Sequence, residues 1–322
     1  MDTILLPGGA GYIGSLTAKT LQKHGLIPVV YDNLSTGHQS AVQWGPFVQG
    51  DLADRKTLDQ AFQTYCPKAV IHFAADAIVV ESMGNPGKYY RNNIGSTVAL
   101  LEAMCAHNVK HLVFSSTCAA YGHPLFTPIT EEHPLNPITP YGRSKFMCEE
   151  IIRDFERAHG IQAVILRYFN AAGADLETLI GENHSPETHL IPTIIEAALG
   201  VRREVVVYGA DFQTKDGSAI RDYVHVQDLA DAHIKALFAS SHTINLGTGN
   251  GYSVLEIIDA VQKFCGKTLN IRMEKKRPGE PGILTADLKA AQNLLQWTPQ
   301  YSELSTLISS AWKWHQLLLE TA

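Results

Sequence analysis

The stretch Leu5-Leu6-Pro7-Gly8-Gly9-Ala10-Gly11-Tyr12-Ile13-Gly14-Ser15, LLPGGAGYIGS, decides how the rest of the chain is read. A short apolar run leads into glycines 8, 11 and 14 at three-residue spacing. Glycine there permits a tight turn, lets backbone approach a pyrophosphate, and lets the next helix pack close to the strand. The helix N-terminus then offers N–H groups and a positive dipole end to phosphate. Pro7 is the anomaly, since it stands at the hand-over from strand to turn and has no N–H to give. It ends its strand rather than lying inside it, so the loop is expected to work. Asp32 sharpens the reading. It stands 18 residues after Gly14 and closes the next strand pattern, VVYDN. A carboxylate there accepts from both ribose hydroxyls and repels a 2′-phosphate, which favours NAD over NADP.

The chain has 322 residues, 45% of them hydrophobic, enough for one large domain or two unequal ones. A net charge of −6 carries no basic excess for nucleic acid or an acidic membrane surface. The opening MDTILLPGG is not a signal-peptide pattern. No run reaches the ~18 apolar residues of a membrane helix. Five cysteines without a C-x-x-C pair suit a reduced cytoplasm.

Apolar runs near Thr3–Leu6, Pro28–Tyr31, Pro46–Val48, Ala69–Phe73, His111–Ser115 and Ala163–Leu166 alternate with helical patterns near Gly14–His24, Lys56–Tyr65, Tyr90–His107 and Tyr141–His159. This predicts an α/β fold, a doubly wound parallel sheet with both faces covered. After about Arg167 the rhythm loosens, and the stretch from Tyr168 to Pro192 reads as loop. We expect a Rossmann domain from residues 1–168 plus about 222–248. A smaller α/β substrate domain is expected from about 169–221 and 249–322.

The segment TPYGRSK places Tyr141 and Lys145 four apart at a helix start, on one face. Upstream, LVFSSTCAAYG runs an apolar strand into Ser115, Ser116 and Thr117. Ligands of a doubly wound sheet sit beyond strand C-termini, where such a hydroxyl meets a helix-borne tyrosine. Lysine and a cationic nicotinamide both favour phenolate, so the tyrosine is expected below its usual ~10. Such a base takes a proton from a sugar hydroxyl while the nicotinamide takes the hydride.

Here the chain closely resembles the extended short-chain dehydrogenase/reductases, and within them the UDP-glucose 4-epimerase family. The resemblance runs along essentially the whole chain, through GGAGYIGS, YDNLSTGH, GDLAD, VIHFAA, YYRNN, VFSST, PYGRSK, LRYFNAAGA, THLIP, IRDYVHVQDLA and NLGTG in order. It implies an isomerase that inverts C4 of a UDP-hexose through a transient 4-keto sugar, with NAD as cofactor. Tyr141 would be the acid/base, Lys145 its electrostatic partner and ribose ligand, and Thr117 the hydroxyl near the sugar O4. Gly8, Gly11, Tyr12, Ile13, Gly14, Asp32, Asn33, Asp51, Leu52, Phe73, Ala74, Asn92 and Tyr168 would line the NAD site with Tyr141 and Lys145. Asn170, Leu190, Arg221 and Arg277 would hold the UDP portion. The arginines make chemical sense, because a diphosphate wants charge-assisted, often bidentate donors. The resemblance further implies a cytoplasmic homodimer formed through two helices of the NAD domain.

Three departures are expected to matter. Pro7 replaces a usual threonine. Ala77 stands where some members carry a lysine. Leu284 takes the position that gates sugar size, which leaves a UDP-N-acetylglucosamine 4-epimerase as the alternative. Sister dehydratases need an Asp-Glu pair after the strand-end threonine, and decarboxylase relatives a glutamate at the second position; this chain has Cys118 and Ala119 there. A silent NAD-binding regulator would be expected to lose Tyr141, Lys145 or the arginines, and none is lost. His225 is expected to be structural. No histidine cluster has metal spacing, so no metal is expected.

Overall fold

The computed structural model describes residues 2–277 and 279–321. Six strands arise in the first half: β1 (Thr3–Pro7), β2 (Ile27–Asp32), β3 (Phe47–Gln49), β4 (Ala69–His72), β5 (His111–Thr117) and β6 (Gln162–Tyr168). They are followed by β7 (Asn170–Ala172), β8 (Val205–Tyr208), β9 (Ile220–His225), β10 (His242–Leu246), β11 (Gly251–Ser253), β12 (Ile271–Glu274) and β13 (Ile283–Leu284). A seven-stranded parallel sheet runs in the order β10-β6-β5-β4-β1-β2-β3. The order reverses between β1 and β4, the point at which such sheets open a ligand crevice.

Period-two burial explains why these runs are continuously apolar. Ile4, Leu6, Val30, Ile71, Val113, Val164 and Leu166 face one layer, containing Ala18, Leu21, Leu229 and Ala232. Their neighbours Leu5, Val29, Val70, Leu112, Phe114 and Ile165 face the other, containing Leu58, Phe62, Leu100, Met104 and Ile152. Successive side chains point to opposite faces, and both faces are covered.

Strands β7, β11 and β13 pair with β9, and β8 pairs with β12. Beside them a separate core gathers Ile191, Ile194, Val205, Val207, Tyr223, Ile257, Val261, Leu307 and Ile308. Its helices include Leu190–Leu199, which begins inside the stretch read as loop. LIPTIIEAAL buries Ile191, Ile194, Ile195 and Ala198 on one side and leaves Thr193 and Glu196 on the other, and Pro192 is tolerated because it lies in the first turn. The helix expected over Tyr90–His107 starts earlier, at Pro86, and passes through a π-helical turn at Tyr90–Ile94. Buried Asp228 ties the Val226–Ala236 helix to the C-terminal segment, accepting from Gln300 N (2.8 Å), Tyr301 N (2.9 Å) and the Ser302 hydroxyl (2.6 Å).

The helix Pro140–His159 is capped by Thr139, whose Oγ1 accepts from Gly142 N at 3.1 Å, and ended by Gly160 in the left-handed region. Lys145 and Glu149 follow Tyr141 at four-residue steps, so the three form one stripe. Glu149 accepts from Arg167 Nε of β6 at 3.0 Å and from the Ser116 hydroxyl of β5, with the ion-paired side chains only 3% and 5% exposed. Arg167 also donates to the Tyr121 hydroxyl at 3.0 Å. Removing one partner of a buried pair strands a charge and costs about 3–5 kcal/mol. Arg167→Met should therefore lose about that much in equilibrium denaturation, and adding Glu149→Leu should recover part of it. A single-variant loss under about 1 kcal/mol would show that the pair does not hold the helix.

Candidate active site

The strand C-termini gather most of the expected residues on one edge. Gly8 follows β1, Asp32 ends β2, Phe73 and Ala74 follow β4, Thr117 ends β5, and Tyr168 ends β6. Pro7 does not disturb the turn. Its carbonyl accepts from Phe73 N (2.8 Å) and Ala74 N (2.9 Å), and Gly8 N reaches Tyr31 O at 2.9 Å.

Gly8 has φ +79°, and a Cβ on it would lie 2.3 Å from Ala74 N, so only glycine fits. A Cβ on Gly14 would strike Gly8 O at 2.5 Å, which is how the helix packs against the turn. Gly11 differs: a Cβ there would approach only Gly8 O, at 3.4 Å, so its outer face is open. Gly11 caps the helix Tyr12–Lys23 without any side-chain cap, leaving the first-turn N–H groups, with Tyr12 and Ile13 at their head, for an anion. Asp32 Oδ2 accepts from Ala10 N at 3.0 Å, and Oδ1 from Leu34 N at 2.8 Å. Burial raises its pKa against these two bonds. Each oxygen keeps a lone pair for a hydroxyl donor. Asn33 Nδ2 donates to Asp51 Oδ2 at 2.8 Å, and Leu52 is buried beside it. A 570 Å³ depression lined by Asp51, Asn92 and Ser96 continues this wall. The donor set fits an adenine dinucleotide: an open helix N-terminus for pyrophosphate and a fixed carboxylate for ribose.

Thr117 is buried, and its Oγ1 accepts from Ala119 N at 3.1 Å. It lies in register with Tyr168. The Tyr141 helix comes close because residue 142 is glycine; a Cβ there would sit 2.6 Å from Ala119 O. Tyr141 packs edge-on to Tyr89 at 6.4 Å between centroids. Burial raises the Tyr141 phenol well above 10, helped by Tyr168, while the Thr117 hydroxyl pulls it down. The lowered phenol expected from the sequence is therefore not a property of the polypeptide alone. The reason is also visible at Lys145, buried with its ammonium 4.2 Å from the Phe114 ring centroid. Burial lowers Lys145 to about 8.

Leu284 pairs in register with Arg221, next to β5's end: it packs with Cys118, Tyr121 and Phe169, and the Arg221 charge is felt at Cys118. Arg221 pairs with Glu280 at 3.1 Å, not with its neighbour Asp222, whose carboxylate instead accepts from Thr248 N at 2.7 Å, Gly249 N and Ala286 N. Asn170 opens β7 beside Tyr223 of β9. Leu190 opens its helix and packs into the second core, and Arg277 stacks on the Tyr208 ring at 4.0 Å. These two rest on contacts separate from the Thr117 group. Exposed Ala77 brings no charge. Burial pushes the Cys118 thiol to about 12, which removes it as a proton donor or base near neutral pH. His225 is structural, as expected: it caps the next helix through Nδ1 to Gln227 N at 3.0 Å, and burial lowers it to about 4.

Sequence reasoning missed the residues behind the site. Asn93 Oδ1 accepts from Asp76 N at 2.8 Å, and its amide donates to Ser144 Oγ at 3.0 Å, joining the π-helical turn to the Tyr141 helix. Glu149 was signalled only by its four-residue step from Lys145.

Residues 4–247 match the NAD dependent epimerase/dehydratase family. A UDP-glucose 4-epimerase of Rhizobium meliloti (strain 1021) is 47% identical over 319 residues, covering 98% of this chain and 97% of the relative. The crystal structure of the Brucella ovis UDP-glucose 4-epimerase in complex with NAD superposes with a TM-score of 0.95 at 48% identity, covering 97% and 98% of the two chains. That of the Bifidobacterium longum UDP-glucose 4-epimerase with NAD+ and UDP gives 0.94 at 36% identity, covering 98% of each. With its glycine turn, acid-closed second strand and strand-end hydroxyl facing a Tyr-Lys helix, the chain belongs to the NAD dependent epimerase/dehydratase family, whose UDP-glucose 4-epimerases it resembles along nearly its whole length.

Proposed function

We infer that this chain is an isomerase that inverts C4 of a UDP-hexose, interconverting UDP-glucose and UDP-galactose with NAD as cofactor. The observation that carries the reading is the Thr117, Tyr141 and Lys145 group, with Cys118 and Ala119 where an eliminating enzyme needs acids.

Gly11, Tyr12 and Ile13 receive the pyrophosphate, Asp32 the adenosine ribose, and Asn33, Asp51, Leu52 and Asn92 the adenine side. Phe73, Ala74, Tyr168 and Lys145 surround the nicotinamide end. Bound NAD supplies a hydride acceptor and a positive ring beside the phenol. Tyr141 takes the O4 proton and gives it back, and Thr117 orients O4. Lys145, lowered to about 8 by burial, lies one helical step beyond Tyr141 and would set its positive charge toward the phenol. Asn170, Leu190, Arg221 and Arg277 anchor the UDP. The anchored nucleotide lets the transient 4-keto sugar turn while held, so binding energy is best placed away from the reacting carbon. The UDP-sugar lies against the smaller lobe, residues about 169–221 and 249–322. A cytoplasmic homodimer through the Gly95–Ala106 and Pro140–His159 helices belongs to the same reading. Among the described residues no helix is long and apolar enough to cross a membrane.

Incubating the protein with UDP-galactose tests the reading; absence of UDP-glucose would sink it. Tyr141→Phe keeps the ring packing and removes the proton carrier. Its kcat should fall about 100- to 10,000-fold with dinucleotide content unchanged.

Leu284 sets the sugar size. It is buried beside Cys118 and Phe169, at the end of β5 where the sugar is proposed to lie, and a larger side chain there would narrow that space. Leu284→Tyr should leave turnover of UDP-galactose within a few-fold and depress that of UDP-N-acetylgalactosamine by about tenfold or more, measured as paired kcat/KM values. Equal losses on both sugars would remove Leu284 as the discriminator.

A further inference from the structure

The segment between β7 and the Leu190–Leu199 helix contains no helix or ladder strand. A compact fold seldom leaves so long a stretch without another restraint. Within it Glu182, His184, Glu187 and His189 each turn one donor atom inward, and the four atoms lie within 4.8 Å of one another. His189 Nδ1 is 2.7 Å from Glu182 Oε1 and 3.0 Å from Glu187 Oε1. His184 Nδ1 is 3.2 Å from Glu182 Oε1 and 3.7 Å from Glu187 Oε2. A four-coordinate ion with bonds of 2.0–2.1 Å has donor–donor edges of about 3.3 Å, in the middle of this range.

Two atoms of the cage lie at ion-pair distance of each other without a well-directed hydrogen bond. Glu187 Oε2 and His184 Nδ1 are buried and have no hydrogen-bond partner among the described residues, though the Glu187 side chain is only 4% exposed. Buried polar atoms are almost always satisfied. A cation between them would use both lone pairs. The frame is already braced: Trp314 Nε1 donates to Glu182 O at 2.8 Å, Arg202 to Glu187 O at 2.7 Å, and Thr188 N and His189 N to Glu187 Oε1 at 2.7 and 2.8 Å.

We propose that Glu182, His184, Glu187 and His189 form a structural site for one divalent transition-metal ion of the zinc class. Two imidazoles with two carboxylates suit Zn²⁺ or Co²⁺ better than the oxygen-seeking Ca²⁺ or Mg²⁺. The site stands independently of the epimerase reading and runs against the expectation, read from sequence spacing, that no metal is held. Its role is to lock the wall facing the dinucleotide turn. Tyr12 donates to Gly173 O at 2.5 Å, Lys19 pairs with Asp175 at 2.7 Å, and His38 Nε2 meets Asn183 O at 2.8 Å. A 260 Å³ cleft lined by Gly11, Tyr12, Asn183 and His184 leads from that turn to the cage.

The competing description is an ion-free cage of two imidazolium–carboxylate pairs. Burial opposes charging the imidazoles, but Glu182 and Glu187 outweigh it and raise His184 to about 9 and His189 to about 10. Cobalt and zinc titration decides between the two. The full-length protein is stripped by dialysis against a chelator, titrated with Co²⁺, and then with Zn²⁺ in competition with a chromophoric chelator. One equivalent per chain, a four-coordinate Co²⁺ ligand-field band displaced by Zn²⁺, and a raised Tm are expected. His184 is the rim ligand, 29% exposed, so His184→Ala should fold and lose both the band and stoichiometric zinc. Wild-type protein that takes up no stoichiometric ion, or a His184→Ala variant that keeps the band, would overturn the proposal.

Discussion

The site depends on one buried ion pair. Glu149 and Arg167 meet between the Pro140–His159 helix and β6, with Ser116 of β5 closing on the same carboxylate. Because Tyr141, Lys145 and Glu149 share a helix stripe, fixing the last fixes the rotation of the first two. Gly142 removes the one Cβ that would hold the helix off the Thr117 turn. Hydrophobic packing alone is non-directional and would tolerate a small roll of the helix. Charge-assisted bonds to a guanidinium do not.

The second organising constraint is the reversal of strand order between β1 and β4. It separates the helices that follow those strands and leaves a crevice above their ends. Into it the chain directs an uncapped helix N-terminus and a carboxylate already held by two backbone N–H groups. Both are preorganised, so little ordering remains for the ligand to impose. At the far end the polypeptide presents a phenol raised by burial beside an ammonium lowered by burial. An added positive charge there would favour the phenolate, and the proposed nicotinamide would bring one.

The first half of the fold was legible in the sequence because each buried strand is a short apolar run bounded by turns. Gly8, Gly14 and Asp32 were legible because each has a local steric or charge reason to be where it is. What stayed hidden depends on contacts distant in sequence. Asn93 meets Ser144, and Arg167 meets Glu149, only once the sheet is assembled. The Leu190–Leu199 helix was hidden by its shortness and by Pro192, since ten residues carry less than three turns of periodic signal and a proline reads as a breaker. The Glu182–His189 cage was hidden by the absence of any regular element whose spacing could announce it. The raised phenol of the polypeptide alone was hidden for a related reason: spacing shows which charges are near, but not how much water burial removes.

The edge strand β10 carries a consequence for how the molecule comes into being. Its residues, His242–Leu246, extend the large sheet beside β6, although the chain between them has already built β7, β8 and β9 elsewhere. A ribosome must therefore release about three-quarters of the polypeptide before the outer flank of β6 can be covered. Until then that flank is an unpaired template, open to any passing strand. The nascent protein must keep a half-finished sheet safe while it makes an insert belonging to another part of the molecule.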